Sequence, residues 1–162
     1  MNSAYPETIE KEELINFLPH EGKMFLLTRM TSRCYEPFSV TVETDISEDF
    51  IFYEEELEGI PNWCTFEIMA QAISALTGVY NAEKNIKPKA GCILSVSNFS
   101  SNREIFKKGT IIKASAQEEF RDEESNIYRY VCQIYDENSR EPAVQATITV
   151  MQTEDMESIV GA

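Results

Sequence analysis

Few residues in this chain are equipped to move protons near neutral pH. His20 is the only histidine, so it is the only side chain whose ordinary pKa lies in that range. Glu67 stands out among the 28 Asp and Glu residues because the pattern around it is helical and apolar. Phe66, Met69, Ala70, Ile73, Leu76, Thr77 and Tyr80 follow 3.6-residue spacing. A lone carboxylate on such a helix either exchanges protons in an apolar pocket or caps a neighbouring loop through hydrogen bonds. Gln71 lies one turn further along the same face and reads more readily as structural. Tyr53 can donate a proton, but with an ordinary pKa near 10 it is a poor base. The four cysteines, Cys34, Cys64, Cys92 and Cys132, include no Cys-x-x-Cys pair. With one histidine, a zinc site would need ligands gathered from distant positions, so no metal is expected and the thiols read as reduced and mostly buried.

Charge narrows the function classes further. Fourteen Lys and Arg stand against 28 Asp and Glu, a net charge of −14. Nucleic acid needs a basic face to displace counterions, and anionic membrane surfaces disfavour this balance for the same reason. The longest apolar runs fall far short of the ~20 residues that span a bilayer. The N-terminus lacks the basic start and apolar core of a signal peptide, so a cytoplasmic location is expected. At 162 residues, the expectation is one domain over 1–162.

The elements that must position these residues follow from periodicity. A short amphipathic helix is expected over about 8–17, with Thr8 as its cap, ended by Pro19. Strands are expected over Met24–Tyr35 and Phe38–Ile46, followed by an irregular acidic loop from Ser47 to Gly59. The long central helix is expected over about 62–84, with Asn62 as N-cap. Strands then recur at about 90–101, 110–121, 126–137 and 142–152, read as an antiparallel meander, with a polar tail after 152. This order predicts an α+β fold in which one curved antiparallel sheet wraps a central helix. Such a sheet leaves an open edge, so at least a dimer is expected.

Two segments resemble a known family. Phe17-Leu-Pro-His-Glu-Gly-Lys-Met-Phe-Leu-Leu-Thr-Arg29 is similar to the opening motif of FabZ-type 3-hydroxyacyl-acyl carrier protein dehydratases. Ile60-Pro-Asn-Trp-Cys-Thr-Phe-Glu-Ile-Met-Ala-Gln71 is similar to the start of their central helix. Met24, Trp63 and Glu67 fit the ApeP-like branch best. That branch is associated with aryl polyene and related fatty acid or polyketide biosynthesis. The resemblance implies a hotdog fold and a dimer. The sequence departs from the pattern at Lys23, where proline is usual, and at Thr28, where an acidic residue is common. It also lacks the Gly-His-Phe-Pro loop of FabZ-type enzymes. The ungapped equivalent of the loop histidine is Tyr53.

The implied reaction removes water from a 3-hydroxyacyl thioester. It needs a base for the α-proton, an acid for the departing hydroxyl and a polarised carbonyl. The resemblance assigns the acid/base role to Glu67; His20, whose counterpart in FabZ-type enzymes does not transfer the proton, and Tyr53 are the candidates to assist. It places the carbonyl at the Asn62–Trp63 backbone, where helix-start N–H groups and the helix dipole point outward. Gln71 falls in the implied substrate-binding set. In an apolar hotdog channel, Glu67 is expected to have a raised pKa. Arg103, Lys107 and Lys108 match the family's basic strand end and are candidates for docking an acidic carrier. No cofactor is implied: the substrate rides on phosphopantetheine of an acyl carrier protein or on coenzyme A. The protein partner is a second hotdog subunit, as homodimer or heterodimer. Two alternatives stand beside dehydration: a non-catalytic subunit that pairs with an active dehydratase, and an acyl thioesterase.

Overall fold

Alternating apolar residues line the inner face of a curved sheet, and the apolar face of one long helix fills its concavity. The computed structural model describes residues 3–157 and Gly161. In chain order the elements are β1 (Ile9–Glu10), α1 (Lys11–Leu14), β2 (Arg29–Tyr35), β3 (Phe38–Asp45), β4 (Gly59–Pro61), α2 (Thr65–Lys84), β5 (Ala90–Ser101), β6 (Ile105–Lys107), β7 (Ile111–Asp122), β8 (Ile127–Asp136) and β9 (Val144–Thr153). Seven strands form one antiparallel sheet in the order β1-β2-β3-β7-β8-β9-β5, and β4 pairs with β6 in a small second sheet. Val40, Val42, Ile112, Ala114, Cys132, Ile134, Ala146 and Ile148 face inward and are buried. Against them α2 buries Ile68, Met69, Ala72, Ile73, Ala75, Leu76 and Val79. Alanines on both surfaces let the helix lie close to the strands. A curved antiparallel sheet wrapped around one long helix is the hotdog arrangement that the resemblance implies. No helix among the described residues is long and apolar enough to cross a membrane.

The ends of the elements differ from the sequence expectation in instructive ways. The N-terminal helix is only Lys11–Leu14, continued by a 3-10 turn over Ile15–Phe17. Ile9 and Glu10 instead pair with Met30 and Arg29, because Ile9 is fully buried against the core from that edge. Thr8 therefore caps nothing. The first long strand starts at Arg29, not Met24, since Gly22–Met24 forms a 3-10 turn and the Leu26 N–H is taken by a side chain of α2. The meander holds for β7-β8-β9, but β5 crosses to pair with β9 at the far edge.

That edge strand is nearly all exposed. It contains no charged residue and no proline across 12 positions, and Ile93, Leu94, Val96 and Phe99 are open to solvent. At the other end of the molecule Arg33 is almost fully buried against Glu83 at 3.0 Å. Its guanidinium also donates to the carbonyls of Tyr5, Pro6 and Glu7. The chain before β1 is thereby tied across the C-terminal end of α2.

Candidate active site

The start of the central helix is set by the small β4–β6 sheet. Gly59 lies so close to β6 that a Cβ there would sit 2.2 Å from the Phe106 carbonyl oxygen. Asn62 continues that pairing: its N–H donates to Glu104 O at 2.9 Å and its side-chain amide donates to Arg103 O at 2.8 Å. Its own carbonyl accepts the Thr65 hydroxyl at 2.7 Å. Asn62 is thus an anchor to the neighbouring strand and not an N-cap, and its N–H is occupied. Trp63 N–H is a helix-start donor left to a substrate carbonyl, with no backbone acceptor outside its own turn among the described residues. Trp63 is 54% exposed, and its ring meets Phe52 edge-on at 5.9 Å. Phe52 in turn packs on Phe50, so these aromatics form an apolar rim beside the helix start.

Glu67 occupies the first turn of α2. Gln71, one turn on, donates from Nε2 to Glu67 Oε1 at 3.1 Å. The same amide donates to Met24 O at 2.7 Å and accepts the Leu26 N–H at 2.8 Å. The opening segment is thereby stapled to the helix, and it brings His20 Nε2 to 3.5 Å from Glu67 Oε1. His20 and Glu67 keep 25% and 20% of their side-chain surface open. The His20 Nδ1 atom is buried with no partner among the described residues. Burial pushes the Glu67 carboxyl up, but hydrogen bonds from His20 and Gln71 and the His20 charge outweigh it and hold Glu67 below the usual carboxylate value. The expected raised pKa is therefore reversed: Glu67 is a carboxylate at neutral pH, a base before it is an acid.

The other candidates fall outside this pair. Tyr53 closes a turn through its N–H to Phe50 O at 2.9 Å, and the charged neighbour that its ring influences is Lys108. Among the described residues it makes no hydrogen bond to His20 or Glu67. Lys108 pairs with Glu48 at 2.5 Å, Lys107 donates to Leu57 O at 2.7 Å, and Arg103 pairs with Asp136 while stacking over Phe106. All three basic residues are thus engaged within the chain. Burial pushes the Cys64 and Cys132 thiols up to about 12, so neither is a nucleophile at neutral pH. Phe50 and Phe52 were not singled out from sequence. Their signal was an apolar run, Phe50-Ile-Phe-Tyr53, ahead of an acidic one.

The site thus sets one imidazole and one carboxylate 3.5 Å apart, both partly open to solvent. The sequence profile of the ApeP-like family, described as ApeP dehydratase, matches residues 12–161. No curated protein matches the chain. Among solved structures, the dehydratase heterocomplex ApeI:P from Xenorhabdus doucetiae aligns with TM-score 0.80 at 21% identity, covering 91% of this chain and 95% of that one. The PaaI protein of the E. coli phenylacetic acid degradation operon aligns with TM-score 0.51 at 11% identity, over 70% and 72% of the two chains. A hypothetical thioesterase with coenzyme A from Streptococcus pneumoniae aligns with TM-score 0.54 at 13% identity, over 71% and 78%. At these identities the structures establish the shared fold, and the profile match over most of the length establishes more: the chain belongs to the ApeP-like dehydratase family.

Proposed function

We propose that this protein is a dehydratase of 3-hydroxyacyl thioesters whose acid–base pair is His20 and Glu67. The observation that carries the reading is the 3.5 Å contact between them within one chain. Glu67 takes the α-proton, and the electrons of that C–H bond become the new C=C bond. The β C–O bond breaks as His20 delivers a proton to the departing hydroxyl, which leaves as water. Glu67 then holds one proton more and His20 one fewer, and exchange with solvent, to which both side chains are partly open, restores the pair. Trp63 N–H and the positive end of α2 stabilise the developing enolate oxygen. The substrate is carried on phosphopantetheine, of an acyl carrier protein or of coenzyme A, in fatty acid or polyketide-type synthesis. Arg103, Lys107 and Lys108 would meet its carrier only by exchanging their present partners, which is easiest for Lys108 because exposed ion pairs are weak.

A second hotdog subunit completes the assembly in this reading. The long, uncharged, exposed edge of β5 is what favours it, and the related ApeI:P complex is a heterocomplex. The test is incubation with a 3-hydroxyacyl carrier-protein thioester, followed by intact-mass spectrometry. Loss of one water supports dehydration. Loss of the acyl group would instead make the protein a thioesterase. Unchanged substrate, with turnover appearing only when a second subunit is added and surviving Glu67→Gln, would make this chain the non-catalytic member.

A further inference from the structure

Three polar residues among those described are fully buried: Thr44, Thr65 and Gln71. The two threonines each donate to one nearby backbone carbonyl. Gln71 differs, because it uses its acceptor and both donor hydrogens, on two residues of the opening segment and one of its own helix. Oε1 receives the Leu26 N–H, one Nε2 hydrogen goes to Met24 O, and the other goes to Glu67 Oε1. Stapling the opening segment to the helix needs only the first two bonds. The third points at the acid–base pair. Since Glu67 Oε1 accepts from Gln71 and faces His20 Nε2, the carboxylate has one orientation in which both are met. Its Oε2 has no partner among the described residues.

We propose that Gln71 is the positioning residue of this site: it turns Glu67 so that Oε1 meets His20 and Oε2 faces the substrate, and it sets the height of the segment that carries His20. This rests on the His20–Glu67 reading above. Without the amide, Glu67 rotates about its side-chain bonds, and the proton acceptor no longer stands fixed beside the α-carbon. A misplacement of about 1 Å costs on the order of a hundredfold in rate.

Two experiments test the assignment, one of them independent of turnover. In NMR spectra the Gln71 side-chain amide should shift as Glu67 ionises, and Glu67→Gln should abolish that response. An amide that ignores Glu67 overturns the proposal whether or not the protein is a dehydratase. For the kinetic test, Gln71→Glu retains the acceptor for Leu26 N–H and replaces the donor with a carboxylate, whose pKa the neighbouring Glu67 raises. Near pH 8 its kcat should fall at least tenfold, with KM within about twofold, and activity should recover on acidification as the introduced carboxyl gains a proton to donate. Gln71→Met, with no donor at any pH, should show the loss without the recovery. Wild-type kcat for Gln71→Glu near pH 8, or equal losses in both variants at every pH, would reduce Gln71 to a structural staple. Should Gln71→Glu fail to fold, the wild-type amide titration still decides. Should wild type catalyse no dehydration, the function reading fails while that titration stands.

Discussion

At the scale of the residue, the competition between burial and hydrogen bonding at Glu67 decides the chemistry. Burial alone would push its carboxyl up; His20 and Gln71 outweigh burial and leave a carboxylate. Glu67→Gln should therefore lower kcat by roughly 10²–10⁴-fold, the usual worth of a general base, with little change in the melting temperature. Equal turnover in a steady-state assay would remove Glu67 from the mechanism. His20→Ala takes away one of the two donors and the charge that hold the carboxyl down, so the acid limb of the kcat/KM profile should move to higher pH. Linkage gives a second readout. A carboxyl whose folded pKa lies below its unfolded one adds stability above the unfolded value, and that stability is lost as pH falls through the folded value. Urea midpoints should thus fall less on acidification in Glu67→Gln than in wild type. The residue types were legible in the sequence, since one imidazole in the chain and one carboxylate in the first turns of an apolar helix leave little choice. Their meeting was not, because 46 residues separate them and the staple that joins them is a glutamine that read as structural.

At the scale of the element, the site depends on how closely the opening segment approaches α2. Gly78 is a point of close approach. A Cβ there would stand 2.1 Å from the Phe17 carbonyl oxygen and 3.0 Å from its carbonyl carbon. Helix propensity favours Gly78→Ala by about 1 kcal/mol, but a clash with backbone cannot be relieved by a rotamer change. Overpacking of this kind costs about 1–3 kcal/mol. The variant should melt several degrees lower, measured by thermal unfolding. Because Phe17 leads through Pro19 to His20, its kcat should fall as well, whereas an exposed Gly109→Ala change should leave kcat intact. Periodicity placed the long strands and α2 within a few residues, since each repeats its pattern several times. It missed β4 and β6, which at three residues each are too short to show a period. Asn62 misled for the same reason: with β6 unseen, a side chain bonded across to Arg103 O looked like a helix cap.

At the scale of the whole molecule, the question is which chain pairs with the edge of β5. Twelve residues without a charge or a proline are the opposite of a protected edge. Leu94→Lys and Val96→Lys should each turn the assembly into monomers in light scattering, and should remove turnover with it if the partner completes the site. Charge then separates the two kinds of partner. Each copy of this chain carries a net −14, so two copies repel as they approach, and added salt screens that repulsion over roughly 10 Å at 0.1 M. A homodimer should therefore tighten as ionic strength rises. A partner chosen by charge complementarity should behave in the opposite way, its association slowing and weakening with salt as steering is lost. Sedimentation of the protein alone across a salt series, repeated with a candidate second subunit, reads the sign directly. Self-association that strengthens with salt would mark a homodimer, and an assembly that needs the second subunit and weakens with salt would mark a heterodimer.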